Sequence, residues 1–252
     1  MKNQNFNKGL TLTALGSFWW GVIGVIYFKY ISFAGPIEVV IHRCMWTSAV
    51  LIITTFYFSK WKIFFEIISN KKKLILLFFS GMLIFINWAT WIYAVGSEKI
   101  IDASFGYFIM PILSVFLGYI FYNEKINIKR CISIILVLIS ILFLLFINFD
   151  SIPWVGIIVA LSWGFYNLLR KKVNVDTDVG LLIESLFLLP FAIFAFYLIF
   201  QNNLNDFSLT SPSLMLILML AGPMTVIPLF LYVRGVELCG LGPTGMIFYI
   251  TP

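Results

Sequence analysis

The chain has 252 residues, of which 61% are hydrophobic and only 11% charged, with a formal net charge of +6. Soluble domains carry about 25% charged residues, so this chain could not cover its own surface in water, and its mean hydropathy of +1.00 makes the membrane span the unit to count. A basic chain invites a nucleic-acid reading, but the lysines and arginines sit in short clusters between apolar runs, and no nucleic-acid partner is expected.

A helix of about 20 apolar residues crosses a bilayer with every backbone hydrogen bond satisfied internally. Apolar runs set against polar punctuation predict nine spans, near residues 10–29, 37–58, 74–96, 102–122, 130–148, 152–170, 179–200, 213–233 and 243–252. The first follows Lys2 and Lys8 as the core of a signal peptide would. Its stretch from Leu10 to Phe28 is long, rich in Trp and Phe, and lacks a small-x-small cleavage site, so it is read as a retained helix. Trp20 within it is a candidate cavity wall.

The second span is interrupted by His42 and Arg43. An ionisable residue inside a membrane is a functional candidate by default, and Arg43 suits an anionic group. In the third span Asn87 and Trp91 share a helical face, as do Trp88 and Ile92. They either line a pocket for an amphipathic or aromatic solute or glue helices together. The fourth span opens with "SFGYFIMP", where Tyr107 is a pore-lining candidate and Pro111 a hinge, since proline removes a backbone donor and can kink a helix. Glu124 is placed where this helix leaves the membrane. The sixth span, ending in "SWGFYNLLRKK", offers Trp163, Tyr166 and Asn167 to a cavity. Its terminal Arg170, Lys171 and Lys172, like "NKKK" at 70–73, are assigned to topology alone. The seventh, "GLLIESLFLLP", holds Glu184, the main candidate for binding a proton or substrate. The ninth begins with "MIFYITP", which supplies Tyr249 to the cavity and Pro252 as a second hinge.

Lys and Arg are enriched in cytoplasmic loops. With the N-terminus inside, fourteen of the seventeen basic residues fall on the inner side, leaving Lys29 and Lys99 outside and Arg43 within a helix. The outer loops carry Glu98, Asp102, Asp150 and Asp206 instead. A cytoplasmic N-terminus is expected.

The chain also repeats itself. A shift of 143 residues lays Trp20-Gly21 on Trp163-Gly164. A shift of 142 lays "VVIHRCMW" on "LLIESLFL", with His42 opposite Glu184, and one of 141 lays "FGYFIMP" on "MIFYITP". Three matches in one order define two units of five helices, residues 1–148 and 149–252. Five is odd, so the second copy enters from the opposite side, the inverted-repeat architecture with which secondary transporters expose a central site to each side in turn. The second unit lacks a counterpart to the residues that follow Pro111 in the first. The expected fold is therefore an all-α polytopic membrane protein of two inverted five-helix repeats, with about nine of ten helices in this chain.

The series "WWG…YFK", "HR.MW", "NW..WIYAV", "ASFGYFIMP", "YNE", "FYNLLRKK", "GLLIESLFLLP" and "FYITP" resembles the RarD branch of the EamA-type transporters, in the drug/metabolite transporter superfamily. The resemblance runs from Gly9 to Pro252. It implies ten helices in two inverted repeats, in the bacterial inner membrane, moving small metabolites or drugs; it carries no set of catalytic residues.

Cys44, Cys131 and Cys239 have no CxxC or His-rich spacing and are read as packing residues. A single histidine, with no HExxH and no GxSxG, leaves no expected cofactor, metal or catalytic residue. The expected function is a secondary transporter, a permease or exporter of small organic solutes working by alternating access. The lipid bilayer and a small-molecule substrate are its partners, with protons as the candidate coupling ion. An uncoupled facilitator or channel is the alternative. An intramembrane enzyme lacks the nucleophile, base or metal ligands it would need. The oligomeric state is not readable.

Overall fold

The computed structural model describes residues 2–97, 99–148, 152–208 and 211–251. Glu98, Asp150 and the hinge candidate Pro252 lie outside the described residues. Among the described residues every regular element is helical. Helix α1 (Lys2–Phe18) runs through a π-helical turn, Trp19–Gly24, into α2 (Val25–Tyr30). A 3-10 turn, Ile31–Ala34, leads to Gly35, whose φ of 74° favours glycine, and the chain reverses there into α3 (Gly35–Tyr57). The chain continues with α4 (Trp61–Ile68), α5 (Lys71–Gly96), α6 (Ile100–Tyr122), α7 (Ile128–Asn148), α8 (Trp154–Val173) and α9 (Thr177–Gln201). The last elements are α10 (Pro212–Met219) and α11 (Ala221–Cys239), joined at Leu220, and α12 (Leu241–Ile247).

Among the described residues six helical stretches are long and apolar enough to cross a membrane. The first, Gln4–Tyr57, has 54 residues, more than twice what one crossing needs, and its reversal at Gly35 divides it in two. Helix α8 has 20 residues, and Arg170, Lys171 and Lys172 in its last turn lower its apolarity. With the short α12, the order of segments follows the predicted spans. The chain is a polytopic α-helical membrane protein.

Two elements differ from expectation. Helix α1 starts at Lys2, well before the apolar run begins. The predicted loop between the second and third spans contains α4, whose Ile63, Phe64, Ile67 and Ile68 pack with Leu74, Leu77 and Val179. Eight amphipathic residues are too few to register in a search for spans. The Asn70 side chain then accepts the Lys73 N–H at 3.2 Å and caps α5.

The packing has a regular plan. Helix α1 lies on α11 and α8 on α5, so the first helix of each expected repeat meets the third helix of the other. The two second helices, α3 and α9, pair, as do α6 and α12. Helices α6 and α8 touch backbone to backbone: a Cβ on Gly106 or Gly156 would collide with the opposing main chain. Asp102, expected in a loop, lies in the first turn of α6 and accepts the Gly156 N–H at 2.9 Å. Beyond the other end of α6, Glu124 accepts the N–H groups of Leu241 and Gly242 at 2.9 and 2.8 Å, together with Lys171 at 2.5 Å. Carboxylates flanking α6 thus satisfy orphan donors at the starts of α8 and α12. Helix α7 packs mainly on α6 and turns Ile132, Leu136, Ile139 and Phe143 outward, where lipid would surround them.

Candidate functional site

At the centre of the bundle α3, α5, α9 and α11 enclose a cavity of about 10 Å³, room for a single water. Thr47, Trp88, Leu181, Glu184, Val226 and Leu229 are among its walls. Among the described residues the Thr47 hydroxyl is buried without a hydrogen-bond partner. An ionic cluster around Glu184 borders this cavity on one side, and the single charge of Arg43 lies near it on the other.

Toward the lysine-rich face is Glu184, the eighth residue of α9, about 10 Å along the helix from its start. Its Oε1 accepts from the Ser80 hydroxyl of α5, and its Oε2 from the Tyr166 hydroxyl of α8 at 3.3 Å. Arg170 Nη1 stands 3.7 Å from Glu184 Oε1. Assigned from sequence to topology alone, Arg170 is instead 1% exposed. Its Nη2 donates to the Thr177 carbonyl at 3.0 Å and lies 3.9 Å from Glu237. Glu237 accepts from the Thr177 hydroxyl at 2.7 Å and from Arg234 at 2.8 Å. Gly180 makes this possible, because a Cβ there would overlap the Arg170 guanidinium.

Toward the opposite face is Arg43, the ninth residue of α3. Its guanidinium carbon lies 4.6 Å from the ring centroids of both Phe28 and Trp88. Its Nε donates to the Thr225 hydroxyl at 3.3 Å. Among the described residues Arg43 has no ion-pair partner. Arg43, Thr47 and Leu51 succeed one another by single turns on one face of α3, so Arg43 stands one turn from the cavity wall.

His42, next in sequence, belongs to a different group. Its Nδ1 accepts the Trp46 indole N–H at 3.1 Å, and its Nε2 lies 3.3 Å from Glu38 Oε1. Indole only donates, so the proton of the neutral ring is on Nε2, pointing to Glu38. Glu38 also accepts the backbone N–H groups of Asp206 and Phe207 at 2.8 and 2.9 Å. The structure therefore joins His42 to the loop between α9 and α10 and does not bring it to Glu184.

The aromatic candidates divide as well. The π-helical turn aims Trp20 inward, 5.2 Å from Trp163, 5.8 Å from Tyr232 and 6.2 Å from Phe248; such turns recur at functional sites. Tyr107 stacks on Phe248 at 6.0 Å. Asn87 donates to the Val159 carbonyl at 3.0 Å and to Ser162 Oγ at 3.2 Å, holding α5 to α8. Trp91 packs 6.2 Å from Phe28. Asn167 donates to the Trp163 carbonyl of its own helix at 3.0 Å, and Tyr249 to the Phe108 carbonyl at 3.0 Å. Helix α6 continues through Pro111, whose carbonyl would be 3.0 Å from a Cβ on Gly245.

Sequence reading passed over Glu38, Phe28, Ser80, Arg170, Thr225, Tyr232, Glu237 and Phe248. One signal was present: Trp163, Tyr166 and Arg170 recur at helical spacing on one face, and two of the three had been singled out.

The sequence model of the EamA-like transporter family matches residues 7–146. The chain is 31% identical over its whole length to a protein named uncharacterized transporter YojE of Bacillus subtilis, covering 84% of that protein. It is 34% identical over 99% of its length to an uncharacterized transporter of Vibrio cholerae, covering 82% of it. It is 31% identical over its whole length to the protein RarD of Escherichia coli, again covering 84%.

Proposed function

The chain belongs to the EamA-like transporter family as a RarD-type member, and from that premise we propose a secondary transporter that exports small organic solutes across the bacterial inner membrane by alternating access. The observation that carries this reading is the small central cavity with Glu184 and its Arg170 partner on one side and the lone charge of Arg43 one turn away on the other. Ionisable groups at membrane depth beside a cavity between two repeat-related halves are what an alternating-access site requires. The pairing of first with third helices across residues 1–148 and 149–252 supports two inverted halves that rock against each other. The lysine and arginine bias supports a cytoplasmic N-terminus.

Glu184 is the coupling residue in this reading. It lines the cavity and binds Ser80 of α5 and Tyr166 of α8. A proton on Glu184 would leave Arg170 without part of its counter-charge and loosen the contacts that close the cytoplasmic side. The test is solute accumulation in proteoliposomes under an imposed pH gradient, wild type against Glu184→Gln. The wild type should accumulate solute in response to the gradient, while the variant exchanges solute without responding. Equal gradient-driven accumulation by both would remove Glu184 from coupling. Exchange without accumulation by either would favour an uncoupled facilitator.

A further inference from the structure

Arg43 is a buried cation with no counter-charge beside it among the described residues. Guanidinium stays protonated in proteins and carries five N–H donors in a planar fork. Here Nε is held by Thr225, two aromatic rings face the guanidinium, and among the described residues neither Nη group has a hydrogen bond. An isolated charge at membrane depth is costly and is ordinarily paired. One turn away, among the described residues, the Thr47 hydroxyl is buried without a partner in an otherwise mostly apolar cavity wall. Both groups lie on one face of α3, beside Trp88, which Arg43 touches and which itself lines the cavity.

We propose that Arg43 anchors the transported solute, and that the solute is a small organic monocarboxylate with an aromatic or apolar body. This inference rests on the transport reading above. The carboxylate would take the Nη fork through paired charge-assisted hydrogen bonds. The body would lie along Trp88 toward the cavity, which must widen to admit it, and a polar substituent would meet Thr47. A single guanidinium among aromatic rings balances one negative charge. A phosphate, with close to two, would leave excess charge buried, since among the described residues no second cation is paired beside Arg43 to meet it.

The experiment is thermal shift on the purified protein with phenylacetate and indole-3-acetate, each set against its primary amide. Acid and amide match in shape and differ in charge. Binding to the folded protein raises its Tm with ligand concentration, so the acids should give saturable shifts and the amides none. Arg43→Gln should weaken acid binding by roughly tenfold or more, with Arg43→Lys restoring part of it because charge is kept and the fork is lost. Thr225→Val keeps every charge, releases Nε, and should give a smaller loss, so the result does not depend on one variant folding. Equal shifts by acid and amide, an undiminished acid shift in Arg43→Gln, or no shift by either acid would overturn the proposal. Proteoliposome exchange separates this from the reading it rests on. Exchange of neutral solutes but not acids defeats the substrate class alone, while acid binding without exchange of any solute defeats transport and leaves the site.

Discussion

Arg170 and Arg43 are both buried, each beside the central cavity on the side of a different face, yet the protein treats them in opposite ways. Arg170 meets Glu184 at 3.7 Å, Glu237 at 3.9 Å and the Thr177 carbonyl at 3.0 Å, so its charge is balanced even though, among the described residues, its Nε and Nη1 make no hydrogen bond. Arg43 meets two rings and one hydroxyl. A charge compensated inside the fold holds helices together, whereas one left open is available to a ligand. The largest expected effect tests that contrast directly. Removing one partner of a buried ion pair costs about 3–5 kcal/mol, so Arg170→Met, which strands Glu184 and Glu237, should lower Tm steeply. Arg43→Met forfeits cation–π contacts worth about 2 kcal/mol when desolvated and removes an unpaired buried charge that opposes folding. The two terms offset, and its Tm should stay close to wild type. Comparable losses in the two variants would break the distinction between a structural arginine and an available one.

Glu38 and Glu184 sharpen the same contrast among carboxylates. Glu184 accepts from side chains of α5 and α8, while Glu38 accepts from the main chain of the loop before α10. Hydrogen bonds to charged groups are worth about 1.5–3 kcal/mol each when buried, and the half-open setting of the loop places this pair toward the lower end. Glu38→Ala should therefore cost less than Arg170→Met and act locally. Limited proteolysis should accelerate between Asn202 and Ser211 while global unfolding shifts little. Faster cleavage spread over all loops would show that Glu38 supports the whole bundle.

The helical, membrane-spanning character of the fold was legible because its signals are long: apolar runs lay out the crossings in the order the helices take. The site was less legible, because burial of a charge depends on what lies across from it. Arg170 stands in "LLRKK", where its neighbours Lys171 and Lys172 share its charge but not its place: Lys171 turns to Glu124 at the end of the bundle, while Arg170 fits above Gly180. His42 and Arg43 are adjacent, yet a helix sends adjacent side chains about 100° apart, one to Glu38 and the other to the rings of Phe28 and Trp88. Helix α4 escaped because about two amphipathic turns resemble a loop until Leu77 and Val179 are there to receive them.

The smallest expected effect concerns Lys60, a charge cluster at the rim. Its Nζ lies 2.7 Å from Asp178 Oδ1 and 3.0 Å from Asp176 Oδ1, with the lysine side chain 27% exposed. Burial opposes the charge on Lys60, but hydrogen bonds with Asp178 and Asp176 outweigh it and hold the ammonium pKa above its usual value. Burial likewise pushes the Asp176 carboxyl up, and the Lys60 ammonium that donates to it, with the Val179 N–H, overcomes this and holds it below the usual carboxylate range. The raised lysine stabilises fully below its unfolded value near 10.4 and is lost as pH climbs through the folded one; the lowered aspartate stabilises above about 3.9 and is lost as pH falls through its folded value. Lys60→Met should therefore cost about 1 kcal/mol or less, as a Tm difference that is flat between about pH 4 and pH 10 and fades only as pH falls below or climbs above that window. Salt separates this rim cluster from the buried one. At about 1 M ionic strength the screening length is only about 3 Å, so the Lys60→Met difference should shrink while that of Arg170→Met persists. If salt weakened both alike, Arg170 would be reached by water and ions, and the contrast between a compensated and an open buried arginine would lose its basis.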